Sequence, residues 1–275
     1  VGLEKITMQI LIIGGGNMGS TYAQSFVRSH ITSKKNMMIL ERSPEKAVEL
    51  ALKDIGEIFG RAEDCIHKAD LVILAVKPQD SDKLFARLRP LINGQQVFLS
   101  IMAGVKIETM VESLGVSKVV RAMPNLPAQI GMGMTVFTST DEVTRLELVM
   151  VQNLLNTTGK TVYVERESAI DAATAISGSG PAYVYFFMNS MIEAARGMGF
   201  SDSEAELLVS QTFAGALDLY KKSDLSCADW ISRVASKGGT TEAALRSFEA
   251  NSLHNDIVAG ANAALERAVE LGQKG

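Results

Sequence analysis

The run Ile10-Leu11-Ile12-Ile13 leads directly into Gly14-Gly15-Gly16-Asn17-Met18-Gly19, and a helix-forming stretch follows from Ser20 to His30. Apolar residues ending in a cluster of glycines read as a buried strand entering a tight turn. Gly14, Gly16 and Gly19 stand as G-x-G-x-x-G. The first glycine suits the turn, the second lets backbone approach a pyrophosphate, and the third lets the helix lie close on the strand. The N–H groups and macrodipole at the helix start favour an anion there. The stretch therefore predicts a dinucleotide loop at Gly14, Gly16, Asn17, Met18 and Gly19. A glycine-rich turn that serves packing alone is the bland alternative.

Outward from this loop, short apolar runs alternate with helical periodicity as far as about Glu165, the pattern of a doubly wound parallel α/β sheet. Strands are expected at 9–13, 37–40, 71–76, 96–101, 118–121, 135–137 and 161–164. Ser43 before Pro44 reads as an N-cap with proline at the first helical position, and Gly115 as a helix stop. After about Ser168 the β signal ends, and alanine-, leucine- and methionine-rich helices follow. The expected organisation is an α/β class with two domains: a Rossmann-type dinucleotide-binding domain over 1–165 and an all-helical domain over 166–275. Ser201 with Glu204 and Ser203 with Glu206 both match the capping box, so a helix should start there. The stretch 169–198 is apolar nearly all round, with Tyr183, Val184, Tyr185, Phe186 and Phe187 in succession. A small helical domain cannot cover such a stretch alone, and a subunit interface of a homo-oligomer is its natural cover.

Cofactor choice should be set where Glu41, Arg42 and Ser43 end the second strand, 22 residues beyond Gly19. An acidic side chain there would bond the ribose hydroxyls of NAD, whereas Arg42 and Ser43 would hold the 2′-phosphate of NADP. The reading favours NADP, with Glu41 turned away, and keeps NAD as the alternative. A solvated surface arginine is the bland reading of Arg42. Ligands lie beyond the carboxyl ends of the strands in such sheets, so Ala75, Val76, Lys77 and Pro78 on one exit, and Met102 and Ala103 on the next, should line the dinucleotide. Lys77 is expected to contribute backbone rather than its ammonium group.

Bulk composition narrows the partners. The 275 residues are 47% hydrophobic and 21% charged, with a formal charge of −4, which gives no electrostatic footprint for nucleic acid or an anionic membrane. Cys65 and Cys227 stand far apart, which excludes a disulfide framework and fits a reducing, cytoplasmic compartment. His30, His67 and His254 show no ligand spacing, so no metal is expected. Val1 to Thr7 is too short and too polar for a signal peptide, and reads as tag residues before an initiator at Met8. No uninterrupted apolar run of about 18 residues suggests a membrane span.

A second loop, Ser236-Lys237-Gly238-Gly239-Thr240-Thr241, opens a helical run at Glu242. Glycine N–H groups at a helix start, with hydroxyls around them, suit a small carboxylate. The bland reading is a pair of helix-capping hydroxyls. Ser177-Gly178-Ser179-Gly180-Pro181 interrupts the long apolar helix and should kink or restart it. The kink either turns Ser179 toward a substrate or marks a close helix crossing. Tyr183 and Tyr185 read as core or interface aromatics.

Taken together with Arg121-Ala122-Met123-Pro124-Asn125, the segments Ser177 to Tyr183 and Ser236 to Thr241, in this order and covering the chain from Met8, resemble the pyrroline-5-carboxylate reductase family. The resemblance implies a Rossmann domain joined to a helical domain that intertwines in a dimer, with decamers in some members. It implies hydride transfer from NAD(P)H to the imine carbon of 1-pyrroline-5-carboxylate, giving L-proline. It further implies that Thr241 sets its hydroxyl near the ring nitrogen, and that Ser236 with Gly238, Gly239 and Thr240 holds the carboxylate. Two positions depart from the family pattern: Glu41, often neutral, and Lys237, proline in some members. A β-hydroxyacid dehydrogenase would need a lysine four residues before an asparagine on the first helix of the helical domain, where no lysine occurs before Lys221. A dinucleotide sensor is the non-enzymatic alternative, for which the second loop would have no use.

Overall fold

The strands β1 (Ile10–Ile13), β2 (Met37–Leu40), β3 (Glu57–Phe59), β4 (Leu71–Leu74) and β5 (Val97–Ser100) build one side of the sheet. In β1, β2, β4 and β5 every residue is buried, as a parallel strand covered on both faces requires. The other strands are β6 (Val119–Met123), β7 (Gly133–Ser139) and β8 (Gly159–Tyr163). This computed structural model describes residues 8–273, so the reading of Val1 to Thr7 lies outside the described residues. The sheet order is β3-β2-β1-β4-β5-β6-β7-β8. Strands β1 to β6 pair in parallel, but β7 runs antiparallel to β6, and β8 follows β7 in parallel. The sheet is therefore mostly parallel, with one reversal that the sequence pattern did not announce.

Helices cover both faces. Tyr22, Ala23 and Phe26 of α1 (Asn17–Arg28) and Leu154 and Leu155 of α5 (Arg145–Asn156) join one core cluster. On the opposite face lie Phe85 and Leu88 of α3 (Ser81–Leu88), with Met110 and Leu114 of α4 (Ile107–Leu114). Local chemistry sets the ends. Ser43 accepts from the Lys46 N–H with Pro44 opening α2 (Pro44–Leu52), and Gly115, at φ +72°, closes α4. Helix α1 starts at Asn17 behind a Gly16 cap, one turn earlier than expected.

Beyond the sheet, α6 (Ser168–Ala173) runs into one π turn, Thr174–Gly178, before α7 (Gly180–Gly197). The interruption at Ser177 to Pro181 is thus a change of helical pitch: the Ser179 N–H donates to the Thr174 carbonyl, five residues back, at 2.9 Å. There follow α8 (Asp202–Lys221), α9 (Cys227–Val234), α10 (Thr240–Ala250) and α11 (Leu253–Gln273). Ser201 and Glu204 form the expected capping box. Ser203 lies inside α8, so the second match forms none.

The chain forms two compact units: one runs to Ser179 and regains the chain from Ala264, and the other spans Gly180–Ala263. Helix α6 belongs with the sheet because it packs on β6 and β7. The end of α11 belongs there too, because Leu271 lies against Gly104, and Gly272 against Lys106. Within the helical unit, Ala205 and Val209 are the buried hydrophobics, while Val184, Tyr185, Phe186, Met191, Leu207 and Leu208 stay exposed. Among the described residues no helix is long and apolar enough to cross a membrane.

Phe26, wholly buried, fixes α1 on the sheet. Phe26→Ala should cost about 3–5 kcal/mol of stability in a denaturant titration; a loss under about 1 kcal/mol would show that the site collapses around the gap.

Candidate active site

The strand order reverses between β1 and β4, and doubly wound sheets bind ligands in the crevice beyond such a switch point. Here the Gly14 N–H donates to the Leu40 carbonyl at 3.0 Å. Gly14 sits at φ +105°, where a β-carbon would come within 2.6 Å of the Ala75 oxygen. A β-carbon on Gly19 would overlap the Gly14 carbonyl oxygen, while Gly16 faces open space. Gly14 and Gly19 therefore have no room for a side chain, and Gly16 leaves its backbone open.

A cleft of about 620 Å³ opens at this point. Of the expected residues, Gly14, Gly16, Arg42, Ala75, Val76 and Lys77 line it. Asn17, Met18 and Gly19 form the first turn of α1, and Pro78 opens a short 3-10 turn. Met102 is buried in the core at 2% exposure, so only its backbone could meet a ligand. Ala103 lies half-buried in the turn after β5.

Glu41 does not turn away. The residue is buried, 9% exposed, and its carboxylate accepts from the Gly15 N–H at 3.0 Å and the Ser43 N–H at 2.9 Å. The acid ties the glycine loop to the end of β2. Ser43 directs its hydroxyl to the α2 cap and to Glu45 at 2.8 Å, so its hydroxyl is already engaged. Arg42 is largely exposed, with its guanidinium 3.4 Å from Asp80. Lys46, Lys83 and Arg87 also line the cleft, and the sequence reading missed them. Lys46 lies three residues past the Ser43 cap, one helical turn along, and that spacing could have found it. The positive lining and the backbone cradle fit a dinucleotide phosphate.

In the helical unit, Gly239 caps α10 without a side-chain bond. The Gly238 N–H, at φ +75°, donates to the Glu242 carboxylate at 2.6 Å, and Glu242 pairs with Arg246 at 3.0 Å. The Gly239 N–H donates to the Ser236 carbonyl at 3.0 Å. Both glycine donors expected to hold a carboxylate are thus engaged within the loop. Thr240 and Thr241 stand in the first turn of α10, whose N–H groups have no partners inside a helix. Ser236, Gly238 and Thr240 are exposed and Thr241 is half-buried. Glu242 is a second residue that the sequence reading passed over.

Arg121 forms a buried cluster in the sheet unit. Its guanidinium reaches Glu167 and Asp171, each at 2.8 Å, with the side chain 1% exposed. Breaking such a pair costs about 3–5 kcal/mol because a charge is left uncompensated. Asn125 donates from Nδ2 to the Ser177 carbonyl at 3.0 Å and accepts from the Met134 N–H at 2.8 Å. The first bond ties Asn125 to the π turn and the second to β7; Ser179, half-buried, follows the turn. Burial pushes the Cys65 thiol up to about 11, so it is no nucleophile at neutral pH. Among the described residues no group of three His, Cys, Asp or Glu is placed to hold a metal.

Fold and crevice together define a doubly wound dinucleotide-binding protein with an appended helical unit. A family model described as pyrroline-5-carboxylate reductase dimerisation matches residues 167–271, and one described as NADP oxidoreductase, coenzyme F420-dependent, matches residues 9–104. The pyrroline-5-carboxylate reductase of Pseudomonas aeruginosa is 32% identical over 98% of this chain and 98% of its own length. Pyrroline-5-carboxylate reductase 2 of Bacillus subtilis is 33% identical over 96% of this chain and 95% of its own. The Coxiella burnetii enzyme structure superposes with a TM-score of 0.89 at 29% identity, covering 97% of this chain and 99% of that one. The Plasmodium falciparum enzyme, solved with NADP bound, gives 0.86 at 29% identity over 96% and 98%. The chain belongs to the pyrroline-5-carboxylate reductase family.

Gly19→Ala forces α1 off the sheet at the Gly14 carbonyl. Dinucleotide affinity measured by fluorescence titration should fall more than about tenfold, as expected when a phosphate cradle is displaced by an ångström; wild-type affinity would show that the loop relaxes freely.

Proposed function

We propose that the chain reduces 1-pyrroline-5-carboxylate to L-proline with NAD(P)H, the last step of proline biosynthesis. The observation that carries this reading is the presence, in one chain, of a glycine cradle at the β1/β4 switch point and a second helix start, at α10, whose first N–H groups have no partners inside the helix. Relatives of nearly equal length bear the same activity in their names. When bound, the reduced nicotinamide supplies the hydride.

The protein's own residues hold and polarise the substrate. As hydride joins the imine carbon, the C=N π pair moves to nitrogen, which must be protonated or strongly hydrogen-bonded. Thr241 is the residue we place at that nitrogen, through its hydroxyl. Ser236 and the N–H groups of Thr240 and Thr241 receive the carboxylate, with Gly238 and Gly239 shaping the turn and Ser179 contributing from the π turn. Holding both ends of a small rigid ring supplies much of the acceleration by alignment, without a strong acid.

NADP is the coenzyme we favour, because Arg42, Lys46 and Lys83 line the cleft while both carboxylate oxygens of Glu41 are occupied by backbone N–H groups. The exposed apolar side chains of α7 and α8 support a homodimer, and decamers built from dimers follow the family pattern. A small molecule and further copies of the chain are the partners proposed, with neither nucleic acid nor membrane, in the cytoplasm.

Absorbance at the reduced-nicotinamide band tests the activity: oxidation should depend on pyrroline-5-carboxylate, and NADPH should exceed NADH. Arg42→Ala should weaken NADPH use selectively, by about fivefold to a hundredfold for one charged contact. Equal losses with both coenzymes would remove Arg42 from phosphate recognition. Thr241→Ala should slow turnover about tenfold to a thousandfold, the value of a hydrogen bond strengthened in the transition state, and unchanged kinetics would end its proposed role.

A further inference from the structure

Arg121 sits at the centre of β6, yet nothing in the proposed reaction uses it. Its Nη1 donates to Glu167 Oε1 and its Nη2 to Asp171 Oδ1, each at 2.8 Å. The same Glu167 oxygen accepts from the Ile107 N–H at 2.8 Å. One carboxylate thus closes the end of the segment from Ile101 to Lys106 onto the start of α6. Asp171 lies one turn further along α6, three residues before the π turn. There the Thr174 hydroxyl donates to the Ile170 carbonyl at 2.8 Å, and the Thr174 carbonyl accepts from Ser179. Asn125, four residues after Arg121, grips the far end of that turn at the Ser177 carbonyl.

We infer that Arg121 is a positioning residue: its guanidinium clamps the post-β5 segment carrying Met102 and Ala103, and the π turn carrying Ser179, in one register. Stability alone is a poor reason for this arrangement. Buried ion pairs are commonly no better than apolar residues of the same volume, and Arg121 Nε is buried without a protein partner. A planar fork does what an apolar residue cannot, because it sets two carboxylates at fixed distance and angle. Glu167, at the N-cap of α6, and Asp171, four residues on and inside it, present those carboxylates to it. The proposed coenzyme and substrate contacts lie on the two segments so joined, and the inference rests on that reading of the site.

The test uses Arg121→Lys, which keeps the charge and cannot bridge both acids, beside Glu167→Ala, which frees only the post-β5 segment. Turnover and the affinity for ADP-ribose are measured for each. ADP-ribose carries the adenosine and pyrophosphate that the glycine-loop cleft would hold and lacks the nicotinamide. In Arg121→Lys, kcat should fall about tenfold to a hundredfold, the size of effect a displacement of about an ångström produces, with ADP-ribose affinity unchanged. Glu167→Ala should show a smaller loss of the same kind, and it decides the matter if Arg121→Lys does not fold. A folded variant with wild-type kcat, or one losing turnover and ADP-ribose affinity together, would overturn the clamp. If the wild-type protein turns over no pyrroline-5-carboxylate, the proposed function fails by itself. Amide exchange then reads the clamp directly: faster exchange at Ile107 and Ser179, and not at Gly15, supports it, and unchanged exchange overturns it.

Discussion

Where α1 leaves the sheet, the Gly14 carbonyl and the α-carbon of Gly19 approach so closely that no β-carbon fits between them. That contact holds the first turn of α1 against the end of β1, beside the exit of β4. Helix-start N–H groups are thereby presented at the point where strand order reverses. The packing of Tyr22 and Phe26 follows from the same approach, because α1 can reach the sheet face only along this path. A site for phosphate and a closed hydrophobic core are here two results of one backbone constraint.

Two charged side chains then act as fasteners. Glu41 receives the N–H groups of Gly15 and Ser43, and so holds the glycine loop and the end of β2 in one arrangement. Arg121 does the corresponding work at the other end of the sheet's ligand edge. Both Glu41 oxygens and both terminal nitrogens of Arg121 are met by protein groups, as buried charges require, while Arg121 Nε is not. In Glu41 the consequence reaches recognition: a carboxylate engaged with backbone on both oxygens has less to offer a ribose, and the surrounding cations set the field of the cleft.

Much of this was legible in the sequence because it depends on local rules. Three strands with apolar residues throughout, the Ser43 and Ser201 caps, the Gly115 stop and the glycine spacing each carry their own chemistry, and each appears in place. What escaped was non-local. Strand β3 is a short edge strand with Glu57 exposed, so it lacks an apolar run. The reversed direction of β7 leaves no trace in hydrophobic alternation, which is the same for either sense. Met102 reads as a loop residue until the core around it is built. Glu41, just past the end of β2, could turn either way on paper; its direction is fixed by the N–H group of Gly15, 26 residues earlier, and by that of Ser43. Arg121 looked like the polar end of a strand, since its two acids arrive 46 and 50 residues later.

The sheet unit is discontinuous, with the helical unit inserted between Ser179 and Ala264. Its final contacts, Leu271 on Gly104 and Gly272 on Lys106, join residues more than half the chain apart. During synthesis the strands and α1 to α6 emerge first and can fold as the rest is made. The turn at Gly104 must wait, uncovered, until α11 has left the ribosome. Completion of the dinucleotide unit thus waits until the helical unit inserted in it has been made.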